Sequence, residues 1–430
     1  MTRLSDLLDI PGASIASEDD FDTINALIQE HGWGDGLPVA PPTEKRVAAM
    51  LAWCDRPLDE CIGKMAPRYG VATPLRLAAN AVMAGCRPEY FPLVLLAIDA
   101  LCQEPFNLYS IQATTHPCAP LLIFNGPIAR EIGINSGHNA FGPGVQANAT
   151  IGRAIRLALL NIGGGLPGVG DMATMGYPAK YSYCIAENEA ASPWQPLHVE
   201  RGFPVDATTV TVVGAEGPHN VNDHQSICAE GLLTTIAGTM ATTGSNDIFC
   251  LSPQPVVAIG PEHARTIADG GYSKAEAKRY LQKHAWLPLG KFSSENIERR
   301  YRVTYGDRYL NAGPDAPVYA VQRAEDIIIV VVGGTGKHSA CIPSVGASTR
   351  AVTLALKRRD GQIAHSMEEF RRGHSKKSTV SAYVLLKKRS LPFNPTRLCN
   401  QSALMPESGF RQRLAASQSA PLFPRHTAIG

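Results

Sequence analysis

No apolar run in this chain approaches the roughly 20 residues that a membrane helix needs; the longest, such as 327–332, is far shorter. No membrane association is expected. None of the ten cysteines stands in a CxxC pair, which argues against a zinc ribbon or a thioredoxin-type redox pair. The first dozen residues, MTRLSDLLDIPG, lack a long apolar segment and carry acids early, so they do not read as a secretory signal. A cytoplasmic setting with reduced, mostly buried thiols is the expectation. HExxH is absent. A P-loop is absent too. Val331 stands where its first glycine belongs, and Lys337 is followed by His338 rather than Ser or Thr. The glycines at 163–165 follow a helical pattern rather than a strand, so they are no dinucleotide fingerprint.

What is present is a long chain with a divided charge. Its 430 residues are 44% hydrophobic, enough to bury a sizeable core. The formal charge of +2 conceals two unlike parts. From Lys357 onward there are 14 basic and 4 acidic residues, against 26 and 34 before it, so a body of −8 precedes a tail of +10. Serine-rich and without periodicity, residues 357–430 read as a basic, disordered tail. A nucleic-acid role would rest on that tail alone and is disfavoured, because the acidic body opposes DNA approach.

Periodicity predicts helices over 21–31, 44–53 (capped by Thr43), 73–84, 92–101 and 149–161. Strands are predicted at 121–124, 208–213, 256–259 and 326–332, and the last, wholly apolar, is expected to be covered on both faces. Further helices are expected at 223–242, 261–269 and 273–284, the last polar and amphipathic. These patterns give a mixed α/β fold with a helical N-terminal third: a helical region 1–110, an α/β core 111–356, then the tail. No internal repeat is visible.

Reactive side chains collect in short Gly/Pro/Asn-rich segments beside apolar elements, where loops carry function. His116, His138, His219 and His338, with Glu187 and Glu200, are the candidates for acid–base catalysis, because environment can bring such groups near neutrality. Lys180, Arg201 and Lys337, with Asn139, Asn220 and Ser339, are the candidates for holding a carboxylate or phosphate. A metal would draw on His198 and Glu200, if a strand points both to one side, or on His219 and Asp223, if they share a helix face, with His224 beside them. The bland reading of each is a cap, a turn or a surface residue. No cofactor is assigned.

The segments Gly34-Asp35-Gly36-Leu37-Pro38-Val39, Asn80 to Tyr90 and 178–203 resemble a largely uncharacterised bacterial family. Its members are often encoded beside, or fused to, a small domain named for a UGSC motif in which U is selenocysteine or cysteine. The resemblance spans about residues 25–355. It implies a soluble bacterial enzyme with a (seleno)protein partner of the UGSC type, and supplies no substrate or catalytic residue. This chain has no Cys-Gly-Ser-Cys. The partner domain is then a separate protein, or the tail replaces it, or the reading frame shifted near 356. The expected function is acid–base chemistry on a small anionic organic substrate, as a lyase, a hydrolase or a thiol-assisted reductive enzyme. The competing expectation is a non-catalytic binding or scaffold subunit of a redox complex.

Overall fold

The computed structural model describes residues 15, 17–18, 20–250 and 252–371. The first dozen residues and the basic tail beyond Arg371 lie outside them. The fold is mixed α/β. Helices begin where the sequence offers a cap. Asp20 accepts from Thr23 N at 2.8 Å to start α1 (Phe21–Glu30), and Thr43 and Thr73 do the same for α2 (Glu44–Leu51) and α3 (Pro74–Ala84). The apolar α4 (Phe91–Leu101) is buried almost all round, and α5 (Gln146–Asn161) packs against α3. Among the described residues, no single helix is long and apolar enough to cross a membrane.

Eight strands form two four-stranded sheets: β1 (Ala119–Asn125), β2 (Cys184–Ala186), β3 (Thr209–Ala215), β4 (His219–Asn222), β5 (Val256–Ile259), β6 (Ile328–Val331), β7 (His338–Ile342) and β8 (Val352–Ala355). The first sheet runs β8-β3-β1-β2 and the second β6-β5-β7-β4. Side chains of a strand alternate between its faces, and here both faces are apolar. In β1, Leu122 and Phe124 enter the core under the N-terminal helices, whereas Leu121 and Ile123 face the second sheet. In β6, Ile328 and Val330 face the first sheet, whereas Ile329 and Val331 pack under α6 (Ala229–Met240), α7 (Pro261–Asp269) and α8 (Lys274–His284). The result is four layers: helices, sheet, sheet, helices. Burying a Val, Leu or Ile side chain stabilises by roughly 1.5–3 kcal/mol, so unbroken apolar strands belong in the two middle layers.

The two sheets share one topology, a repeat that the sequence conceals. β1 pairs in parallel with β2 and antiparallel with β3; β5 pairs in parallel with β6 and antiparallel with β7. Each sheet takes its fourth strand from the other half. β3 leads into β4, which joins the second sheet, and β7 leads towards β8, which joins the first. The exchanged connections cross where Ala215 bridges Ser344, with Glu216 N donating to Pro343 O at 2.8 Å and Val345 N to Gly214 O at 3.0 Å.

A Gly-Pro turn marks the same place in both halves. Gly126-Pro127 follows β1 and Gly260-Pro261 follows β5. A Cβ at Gly126 would lie 2.3 Å from Ala207 O, and one at Gly260 would lie 2.2 Å from His338 O. Both glycines therefore let the turn pass against the start of the third strand of its half. Gly260→Ala is expected to destabilise by about 3 kcal/mol, since backbone cannot yield as a side chain does. Denaturant unfolding checks this, and a midpoint equal to that of the parent chain would refute it.

Three expectations need correction. The helix expected over 223–242 begins only at Ala229, because His219–Asn222 is a strand and Asp223 closes the turn after it. Residues 197–200 form a short helix rather than a strand, so His198 and Glu200 do not share a strand face. Finally, 357–371 is not tail: Ala364, Met367 and Phe370 are buried in the first core, and Ser366 and Glu369 make a capping box. Charge in this segment is matched locally, Arg358 by Asp360 and Glu369.

Candidate active site at the strand crossing

Residues that follow the exchanged strands line a cavity of about 430 Å³, with Glu216 and His219 on one wall and Asp247, Ser245, Thr239 and Cys341 among the others. His116, in the turn before β1, places Nε2 2.6 Å from Glu216 Oε1. An ionised carboxylate only accepts, so the imidazole donates. Two tyrosines fix the backbone beneath: Tyr183 Oη donates to Glu216 O at 2.9 Å and Tyr177 Oη to Ala215 O at 2.6 Å. The His116 Nδ1 atom is buried without a hydrogen-bond partner. Glu216, not His116, is thus the group that meets the cavity, and His116 holds it.

Asp247 lies opposite in chemical character. It is 3% exposed, and burial pushes its carboxyl up to about 8, against hydrogen bonds from Ser344 N at 3.0 Å and Ser344 Oγ at 3.2 Å that act to lower it. At neutral pH it is a protonated acid. One cavity therefore holds one carboxyl bound to an imidazole and one kept neutral by burial, the arrangement that divides acid and base roles between like groups. Ser245 Oγ is buried there with no partner in the protein. Among the described residues, no Lys or Arg lines this cavity.

The remaining expected site residues lie elsewhere. The four histidines do not converge. His219 shares the crossing cavity, but His338 pairs with Asn222 at the far end of β7. There His338 Nδ1 meets Asn220 Oδ1 at 3.1 Å and its Nε2 meets His224 Nε2 at 3.2 Å, and Lys337 Nζ donates to His224 O. Ser339 is buried between Gly260 N and His263 Nδ1, a structural tie. His138 lies against Gly334, and Asn139 closes a turn by donating to Pro143 O with φ 58. Lys180 is spent on Asp171, at 2.6 Å and 2.7 Å, so it is not free to hold a substrate.

The expected metal ligands do not gather either. His198 is fully buried, with Nε2 3.3 Å from Val205 O, a core histidine. Burial pulls the Asp223 carboxyl up, but bonds from Thr235 and Ser226 outweigh it and hold it down at about 2. Its oxygens are occupied in shaping the turn. Among the described residues, no three His, Cys, Asp or Glu side chains are arranged to hold a metal ion. The buried thiols of Cys118 and Cys341 are pushed up to about 12 by burial, so neither supplies a thiolate at neutral pH.

Glu187 and Glu200 belong to a buried ionic group that the sequence did not show. Lys274 and Lys278, each 6% exposed, project from α8 towards them. Lys274 Nζ lies 3.4 Å from Glu200 Oε2 and 3.8 Å from Glu187 Oε1, and Lys278 Nζ bonds Glu200 Oε1. The i,i+4 lysines read as a solvated face, and only their spacing to Ala277 and Leu281 hints otherwise. Asp247 had no signal at all: second in the four-residue helix Asn246–Phe249, it looks like an ordinary helix-start acid. Compared with known proteins, the chain matches no family model and no curated protein.

Proposed function

We propose that this chain is an enzyme that moves protons on a small, uncharged, oxygen-bearing organic molecule bound at the strand crossing. One observation carries the reading: Glu216, held by His116, and the buried, neutral Asp247 line the same cavity. Glu216 takes a proton from carbon or from a hydroxyl, while Asp247 donates one to the oxygen on which charge develops. Reversing both transfers on the product side restores each group. This serves a lyase or isomerising step directly, and a hydrolytic one when Glu216 takes its proton from water. Ser245, whose Oγ has no partner in the protein, offers a hydroxyl to a substrate oxygen.

Because no described Lys or Arg lines the cavity, the proposal moves from an anionic to an uncharged substrate. A UGSC-type partner, implied by the family resemblance, would bring its own reactive sulfur or selenium, because Cys118 and Cys341 are held as thiols. The test is solvent exchange. Small hydroxyketones and polyols are incubated with the protein in D2O, and deuterium uptake at carbon is read by NMR. Uptake is expected to fall by about a hundredfold or more in Glu216→Gln with the melting temperature unchanged. Equal uptake in the variant, or none across the panel with the parent protein, refutes the proposal.

A further inference from the structure

A second cavity, also about 430 Å³, lies between the 197–201 turn, α8 and the start of β6, and shares no lining residue with the first. Its lining carries four cations, Arg201, Lys278, Arg279 and Arg323, against three acids, Glu200, Glu325 and Asp326. Arg323 is committed to Asp326 at 3.1 Å. Arg201 is not committed. Its guanidinium makes no hydrogen bond and no ion pair within 4 Å among the described residues, although it is partly buried and feels the Glu200 charge. Lys278 is more than nine-tenths buried, and its ammonium, which carries three donors, bonds only Glu200.

Charge in the group does not cancel. Lys274, Lys278 and Arg201 face Glu200 and Glu187, three basic groups against two acids. An excess of positive charge, with donors unspent, therefore opens onto a space large enough for a small metabolite. A buried ammonium and a free planar fork are costly unless an acceptor reaches them. We infer that this cavity binds a small carboxylate- or phosphate-bearing anion, received by the Arg201 fork and the two unused Lys278 donors. Arg201 supplies paired, parallel donors that match a carboxylate or phosphate edge, and Lys278 supplies the point charge behind it. The site rests on its own geometry and stands whether or not the strand-crossing cavity is catalytic.

Calorimetric titration of the full chain with inorganic phosphate and, separately, with malonate tests this. Saturable binding of at least one, with a Kd below about 10 mM, is expected. Binding of phosphate alone assigns a phosphate ligand, and binding of malonate alone assigns a carboxylate. Arg201→Gln is expected to weaken that binding by about tenfold or more, and Arg201→Lys to recover only part of it, since the charge returns without the fork. The melting temperature of each variant without anion confirms folding. Absence of saturable binding by either anion, or equal affinity in a folded Arg201→Gln variant, overturns the inference.

Discussion

Replacing Asp247 by asparagine is expected to lower turnover about a hundred- to a thousandfold and, at the same time, to flatten the dependence of stability on pH. Asparagine keeps the oxygen that accepts from Ser344 N and Oγ, so the local packing survives. It loses the acidic proton. If Asp247 donates to the substrate oxygen, the rate falls by about a hundred to a thousandfold. The stability effect follows from where the proton sits. Burial holds the folded carboxyl up to about 8, whereas its ordinary value is 3.8. Between those two values the folded state binds more protons than the unfolded one. Stability from this group is therefore complete below about pH 4 and declines as the pH rises through about 8. The full span is of the order of 5 kcal/mol at most. Glu187, also pushed up by burial, adds a slope of the same sign, so the variant flattens the profile without erasing it. Urea unfolding from pH 5 to pH 9 measures both slopes. Identical slopes in parent and variant would show that Asp247 is ionised in the fold. If the protein is the proposed enzyme, the same titration gives it a falling activity limb above about pH 8.

Lys274→Met is expected to be the most destabilising single change in the ionic group, at about 3–5 kcal/mol. Its ammonium donates to Gln195 O at 2.8 Å and stands between two carboxylates. Without it that carbonyl loses a donor, and Glu200 keeps Lys278 as its one ion-pair partner within 4 Å among the described residues. Glu187→Gln should cost far less, about 1 kcal/mol. Glu187 Oε2 accepts from Asn125 Nδ2 and Leu197 N, both at 2.7 Å, and an amide oxygen can accept in its place. Its Oε1 has no hydrogen-bond partner to lose. The double variant tests whether the pair is coupled. Adding Glu187→Gln to Lys274→Met should recover part of the loss, because it removes a carboxyl that could charge in a dry place. Strict additivity of the two would show that Lys274 acts on Glu200 alone.

The elements legible in the sequence were those decided within a dozen residues. Thr43 announced α2 because a hydroxyl can satisfy an exposed helix N–H, and the apolar spacing over 73–84 announced α3, where Thr73 proves to be the cap rather than the first helical residue. The apolar run at 326–332 announced a strand covered on both faces, and β6 is one, since both its rows of side chains are buried. Strands such as β4 and β8 were not legible. His219–Asn222 is polar at three of its four positions, and its strand conformation comes from pairing with β7 more than a hundred residues away. The repeat was hidden for the same reason, as the halves share pairing order and a Gly-Pro turn rather than a run of identical residues.

His116 and His219 were named from their loops, but the loops did not show that His116 Nε2 holds Glu216 or that Glu216 faces the cavity. The amino-acid sequence by itself determined the mixed α/β class, most helices with their caps and the apolar middle strands, since each follows from local spacing and local hydrogen bonding. Tertiary structure alone decided which strands exchange sheets, that 357–371 closes onto the body, and that Asp247, Lys274 and Lys278 are buried. Those depend on which distant groups exclude water from a side chain, and it is the loss of water that turns a common acid or lysine into a tuned one.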